Sequence, residues 1–97
     1  IVGLHSNTPS AVGSALNELG LAGEVVATGW DASPEGIDYV KSGVLDALLV
    51  QRPYDMGYWS LKSLVAISSG FQQDVAGAND TGMIVVTQDN VDTFDQR

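Results

Sequence analysis

The chain has 97 residues, 44% of them hydrophobic, and its 12 acidic and 4 basic side chains give a net charge of -8 at pH 7. A chain of this length forms one small domain at most, and its negative charge disfavours nucleic acid and anionic lipid as partners. Cysteine is absent, which excludes disulfides and thiolate metal sites. No apolar run approaches the roughly 20 residues that span a bilayer, and no positively charged segment precedes an apolar one at the start.

Short apolar runs alternate with helical patterns, which predicts an α/β fold with a mainly parallel sheet. Residues 1–5 are predicted to be the remainder of a strand. A helix then begins at Thr8-Pro9 and ends at Gly20. Its apolar residues share one predicted face: Ala11, Val12, Ala15, Leu16 and Leu19.

The middle of the chain repeats this order. Residues 24–30 are predicted to form a strand, and Ser33 caps a second helix that runs to Gly43, with Ile37 and Val40 as its apolar stripe. Residues 45–50 are predicted to form a third strand.

The last part begins with a longer helix over residues 53–69. Its apolar residues recur at helical spacing and Gly70 ends it. A polar loop over 71–82, a strand over 83–87 and a polar tail over 88–97 complete the prediction.

Three polar residues follow successive predicted strands. Asn7, Asp31 and Gln51 each lie just beyond a carboxyl end, so in one parallel sheet they meet at the edge where α/β proteins bind ligands. A carboxylate accepts bonds from vicinal hydroxyls and each amide donates and accepts, which suits a neutral polyol. The alternative is that these residue types cap helices and fit turns.

Two further candidates have ordinary structural explanations. His5 ends a predicted buried strand, where a histidine is more often packed and hydrogen-bonded than functional. Trp30 can stack on a sugar face or belong to the core.

No catalytic residue, cofactor or metal is predicted. The single histidine has no recognisable nucleophile, no glycine-rich phosphate loop follows a strand, and the tail carboxylates lack the spacing of a calcium loop. We therefore expect no enzyme.

Four motifs in order resemble the carboxyl-terminal part of a periplasmic sugar-binding protein of an ABC transporter, of the ribose-binding type. They are Gly29-Trp30-Asp31-Ala32-Ser33-Pro34-Glu35, Lys41-Ser42-Gly43-Val44-Leu45-Asp46-Ala47, Val50-Gln51-Arg52-Pro53-Tyr54-Asp55-Met56-Gly57 and the run from Thr81 to Asp92. The resemblance covers essentially the whole chain, although residues 71–79 contribute least.

The resemblance implies a three-layer fold with two lobes that close on one monosaccharide or polyol about a hinge, and it carries the role of sugar ligand to Asn7, Asp31 and Gln51. Arg52 stands where the family often has a small or amide residue, and it either contacts ligand or pairs with an acidic group. It also implies an extracytoplasmic location, periplasmic or at the cell surface, and a membrane permease as partner.

The resemblance further divides the chain. Residues 1–51 belong to the carboxyl-terminal sugar-binding lobe, residues 52–80 form a hinge crossing and a helix that packs on the other lobe, and residues 81–97 are the last strand and tail. The chain is about a third of such a protein, so it would lack the whole core of the amino-terminal lobe and the first strands of the carboxyl-terminal lobe.

Two other functions stay open at this point. One is a fragment of the effector-binding domain of a sugar-responsive transcription repressor with the same fold. The other is a flavodoxin-like enzyme or phosphoacceptor domain, for which the required carboxylates and lysine are not found.

The missing lobe would leave an apolar helix stripe bare. We therefore expect the fragment to associate with itself, by exchange of the helix over residues 54–69 between two copies about the hinge at 51–53. We also expect the fragment alone to bind sugar very weakly.

Overall fold

The computed structural model describes residues 1–75 and 77–95; residue 76 of the predicted loop and residues 96 and 97 of the predicted tail lie outside the described residues. The elements in chain order are α1 (Thr8–Glu18), β1 (Thr28–Trp30), α2 (Pro34–Lys41), β2 (Ala47–Gln51), α3 (Pro53–Ser68), a 3₁₀ helix (Gln72–Asp74) and β3 (Met83–Val86).

The three strands form one mixed sheet in the order β1-β2-β3. β1 and β2 are parallel, with Trp30 opposite Leu49, whereas β3 runs antiparallel to β2, with Val85 opposite Leu49. The α/β class is confirmed, and the antiparallel β3 is the difference from the predicted mainly parallel sheet.

The strand predicted over residues 1–5 is wrong in its extent. Only Val2 forms a parallel bridge, to Thr28, and the backbone bonds to Thr28 end at Gly3. The Thr8 amide donates to the His5 carbonyl at 2.8 Å, so the chain turns into α1 before a longer strand can form. β1 likewise starts at residue 28 instead of 24, because Glu24 still belongs to a turn closed on Leu21.

The core lies between the sheet and the pair α1 and α2, which pack on one face of it. Leu48 and Val50 of β2 face these helices and are buried, while Ala47 and Leu49 point to the other face. The remaining buried hydrophobic residues are Leu16, Ala27, Val40, Val44, Leu45, Val86 and Val91.

The face that α1 buries is rotated from the predicted one. Leu16 is buried and Val12 packs against the core, but Leu19 is 70% exposed, and Ala11 and Ala15 are exposed too. The buried line contains Gly13, where an added Cβ would lie 2.2 Å from the Tyr39 ring of α2. The missing side chain at Gly13 therefore lets the two helices approach each other.

The predicted ends of α2 are confirmed. The Ser33 hydroxyl accepts a bond from the Gly36 amide at 3.1 Å, and Gly43 adopts a φ of +75° just beyond the helix.

α3 extends away from this core. It ends as predicted before Gly70, but none of its residues is buried, and its main contact among the described residues is with the 3₁₀ helix. The radius of gyration is 17.3 Å, against about 12.5 Å for a compact domain of this length. Within residues 1–75 and 77–95, no helix is long and apolar enough to cross a membrane.

Candidate functional site

Three segments that lead into helices meet at the carboxyl edge of β1 and β2. Asn7 precedes α1, Asp31 follows β1, and Gln51 ends β2 just before α3. Each of the three helices has a proline at its first or second position, which fixes the chain where it leaves the sheet edge.

The three predicted ligands line one open cavity. Its volume is about 370 Å³, which accommodates a monosaccharide. The described residues around it are Ser6, Asn7, Asp31, Ala32, Ser33, Val50, Gln51, Pro53 and Met56. The sheet therefore brings together side chains that are 24 and 20 residues apart in the chain.

A hydrogen bond joins two of these ligand candidates. The Gln51 Nε2 donates to Asp31 Oδ1 at 3.0 Å. The Asp31 amide in turn donates to the Leu49 carbonyl at 2.8 Å, which fixes the residue against β2. This bond orients the Gln51 amide and uses one carboxylate oxygen, so the second oxygen remains an acceptor for a hydroxyl group.

The backbone at Asp31 is unusual. Its φ is +61°, and Asp31 is the one residue other than glycine with a positive φ within the described ranges. Aspartate tolerates this left-handed conformation better than most residues. The conformation occurs where β1 leaves the sheet, at the rim of the cavity.

Helix capping does not explain Asn7. Asn7 occupies the position before α1, yet its side chain makes no capping bond, whereas Ser33 does cap α2. The described side-chain bond of Gln51 is the one to Asp31. The side-chain amides of Asn7 and Gln51 therefore do not cap the helices that follow them.

The further candidates lie outside the described lining of this cavity. His5 is exposed instead of ending a buried strand, and its Nδ1 accepts a hydrogen bond from the backbone N–H of Asn7 at 3.4 Å. Trp30 is half-buried in β1. The Arg52 Nε pairs with Asp55 Oδ2 at 2.9 Å, which is the acidic partner that the sequence left open as an alternative.

Sequence reasoning missed two kinds of lining residue. Ser6 and Ser33 belong to the same junctions as Asn7 and Asp31, so a prediction of the whole junction would have included them. Met56 lies in the first turn of α3 and gives the cavity an apolar wall. Because Met56 is only five residues after Gln51 in the sequence, it could have been predicted to lie near the same site.

The lining favours a neutral polar ligand. Asp31 is the one charged residue among the described residues that surround the cavity, so no cation is present to hold a phosphate or carboxylate. Among residues 1–75 and 77–95, no group of three or more His, Cys, Asp or Glu side chains is placed to hold a metal ion.

The sequence over residues 1–72 matches the family described as periplasmic binding protein domain. The chain belongs to this family. This match and the similar solved structures described next confirm the resemblance stated from the four motifs. A comparison with curated protein sequences gave no significant match.

Solved structures of sugar-binding proteins contain a region with a similar fold. An ABC transporter solute binding protein from Agrobacterium vitis with bound D-fucose is 35% identical, with a TM-score of 0.83, over 96% of this chain and 31% of that one. AraP, an arabinose binding protein from Geobacillus stearothermophilus, is 34% identical, with a TM-score of 0.80, over 97% and 34%.

GanP, a glucose-galactose binding protein from the same organism, is 27% identical, with a TM-score of 0.85, over 92% of this chain and 31% of that one. The chain therefore spans about a third of the length of these solved structures.

Proposed function

We propose that this chain forms one side of a binding site for a monosaccharide or related polyol, with Asn7, Asp31 and Gln51 as its hydrogen-bonding ligands. The observation that carries the proposal is their convergence on one cavity whose only charged lining residue, of those described, is a carboxylate already bonded to a neighbouring amide. Asp31 accepts from hydroxyl groups, and the amides of Asn7 and Gln51 supply both donors and acceptors.

The protein to which the chain contributes is, in this proposal, an extracytoplasmic solute-binding protein that delivers the sugar to the permease of an ABC transporter. Family membership and the sugars in the descriptions of the similar structures support this assignment. It places the complete protein in the periplasm or at the cell surface.

The proposed layout assigns residues 1–51 to the sugar-binding lobe, residues 52–80 to a hinge crossing and a helix against the other lobe, and residues 81–97 to the last strand and tail. Two features support it. α1 and α2 pack on β1 and β2 as one body, whereas α3 begins two residues after Gln51 and buries none of its residues.

Saturation-transfer difference NMR tests the site, because it detects the millimolar binding expected when one side of a crevice is open to water. We would titrate the chain with D-fucose, arabinose and galactose. Asp31→Asn keeps an oxygen for the Gln51 bond but removes the charge. Losing a hydrogen bond to a charged group weakens binding by about 10- to 100-fold.

Asp38→Asn is the matched control, because Asp38 is an exposed carboxylate on α2 outside the cavity lining. The proposal fails if Asp31→Asn and Asp38→Asn both bind a sugar with the same affinity as the unchanged chain. Micromolar or tighter binding by the unchanged chain would contradict the idea that it supplies one side of the site alone.

A further inference from the structure

The hydroxyl group of Ser33 belongs to the cavity but is not among the three ligands proposed above. Ser33 lines the cavity together with Asp31, and it is half-buried. It follows Asp31 by two residues in the chain, so the Cα atoms of the two residues are at most about 7 Å apart. Both side chains can therefore reach the same end of a bound sugar.

A capping bond fixes the oxygen of this hydroxyl group. The backbone N–H of Gly36 donates to Ser33 Oγ at 3.1 Å, at the start of α2. A Cβ added at Gly36 would lie 3.0 Å from Ser33 Oγ and 3.1 Å from the Cβ of Pro9, which is buried in the first turn of α1. The contacts that hold the oxygen therefore come from α1 and α2, within the body that packs on the sheet, and not from α3.

The cap leaves the proton of the hydroxyl group for another acceptor. A serine hydroxyl has one donor and two acceptor lone pairs, and its proton rotates to suit its partner. Within residues 1–75 and 77–95, the side-chain hydrogen bond described for Ser33 is the one from Gly36, in which Ser33 accepts. The oxygen is thus held in place, and the O–H can donate to an occupant of the cavity.

A donor at this position complements Asp31. The carboxylate only accepts, and one of its oxygens already accepts from Gln51 Nε2, so a sugar hydroxyl bound by Asp31 has to donate its own proton. The oxygen of that hydroxyl then needs a donor. Hydrogen bonds that run from a donor through a hydroxyl to a carboxylate strengthen one another.

We propose that Ser33 is a fourth ligand of the site, which donates its O–H to a sugar hydroxyl bound by Asp31 or next to it, with its oxygen as the cap of α2. This inference rests on the proposed sugar site. It also gives the site a preference for sugars that carry a hydroxyl at this end. An analogue with hydrogen in its place leaves polar groups of the site without a partner and therefore binds more weakly.

Three variants of Ser33 separate capping from binding. Ser33→Asn and Ser33→Asp are similar in size and both keep an oxygen that caps a helix, but only the asparagine side chain also has an N–H donor. Ser33→Gly removes the hydroxyl without adding charge, and glycine at this position weakens a helix only slightly. Urea unfolding followed by circular dichroism checks that each variant keeps the stability of the unchanged chain.

Saturation-transfer difference NMR with D-fucose, arabinose and galactose measures binding. Ser33→Gly and Ser33→Asp are expected to bind a responding sugar about 3- to 10-fold more weakly than the unchanged chain, which is the loss expected for one hydrogen bond. Ser33→Asn is expected to bind as the unchanged chain does, because it keeps a donor. Ser42→Gly is the matched control, because Ser42 is exposed at the other end of α2 and outside the described cavity lining.

Sugars that each lack a single hydroxyl identify the contact. Loss of the hydroxyl that Ser33 contacts is expected to weaken binding to the unchanged chain more than binding to Ser33→Gly. The inference is overturned if Ser33→Gly binds as tightly as the unchanged chain, or if Ser33→Asp binds as tightly as Ser33→Asn; sugar binding by the unchanged chain would in either case still support the site. Binding of no sugar by the unchanged chain would overturn the site and this inference together.

Discussion

Replacing Asp31 by alanine and by glycine separates the cost of its backbone conformation from the loss of its carboxylate. Asp31 has a φ of +61°, in the left-handed region. Both substitutions remove the same hydrogen bond from Gln51 Nε2. The two variants therefore differ only by a Cβ atom at a position where glycine is the preferred residue.

The expected difference in unfolding free energy is about 1 kcal/mol in favour of glycine. A Cβ in the left-handed region costs about 1–2 kcal/mol, and the greater freedom of glycine in the unfolded chain offsets about 0.4–1 kcal/mol of this. For a domain of this size, 1 kcal/mol corresponds to a difference of about 4–8 °C in Tm.

Thermal and urea unfolding followed by circular dichroism measure this difference, with equal urea slopes as the check that both variants unfold alike. An alanine variant as stable as the glycine variant would refute the reasoning. Neither variant is expected to bind sugar, because both lack the carboxylate. A glycine variant that is more stable than the alanine variant but does not bind sugar would indicate that Asp31 is needed for the carboxylate of its side chain.

Three further predictions concern stability. Leu48→Ala empties a fully buried site and is expected to cost about 2–5 kcal/mol in urea unfolding, against less than about 0.5 kcal/mol for exposed Leu19→Ala. Ser33→Ala removes the cap of α2 and is expected to cost about 1 kcal/mol in the same assay. The hydrogen bond and charge of Asp92 raise the pKa of Lys41 above 10.5. The small contribution of this exposed pair to the free energy of unfolding is present below pH 10.5 and is lost as the pH rises through the raised pKa. Lys41→Met is expected to show no such loss of stability over this pH range.

Local signals explain which elements the sequence predicted well. Ser33, Pro34 and Gly43 determine the ends of α2 through short-range capping and turn geometry, and the structure has the same ends. The strand over residues 1–5 depended on partners elsewhere in the chain, and the bond from Thr8 to His5 ends it early. Short-range patterns carry no information about such pairing.

The direction of β3 and the buried face of α1 were also set by distant contacts. β3 lies antiparallel beside β2, and the local sequence pattern does not indicate this direction. Leu19 fits the helical apolar pattern but lies beyond the contact with α2, which Gly13 and Tyr39 determine.

The meeting of Asn7, Asp31 and Gln51 was predictable because parallel strands bring their carboxyl ends to one edge. The observed register, with Trp30 opposite Leu49, places Asp31 within reach of the Gln51 side chain. The bond between Asp31 and Gln51 depends on the strand register, and the wall formed by Met56 depends on where α3 begins. Neither can be predicted from the spacing of the residues alone.

A ¹⁵N-edited NMR titration of the chain with D-fucose and arabinose tests the central claim most directly, because the side-chain amides of Asn7 and Gln51 report on the proposed ligands themselves. We predict shifts that saturate together for these two amides and the Asp31 backbone amide, and that disappear in Asp31→Asn. Saturating shifts confined to residues outside the cavity, or none with any sugar, would contradict the account.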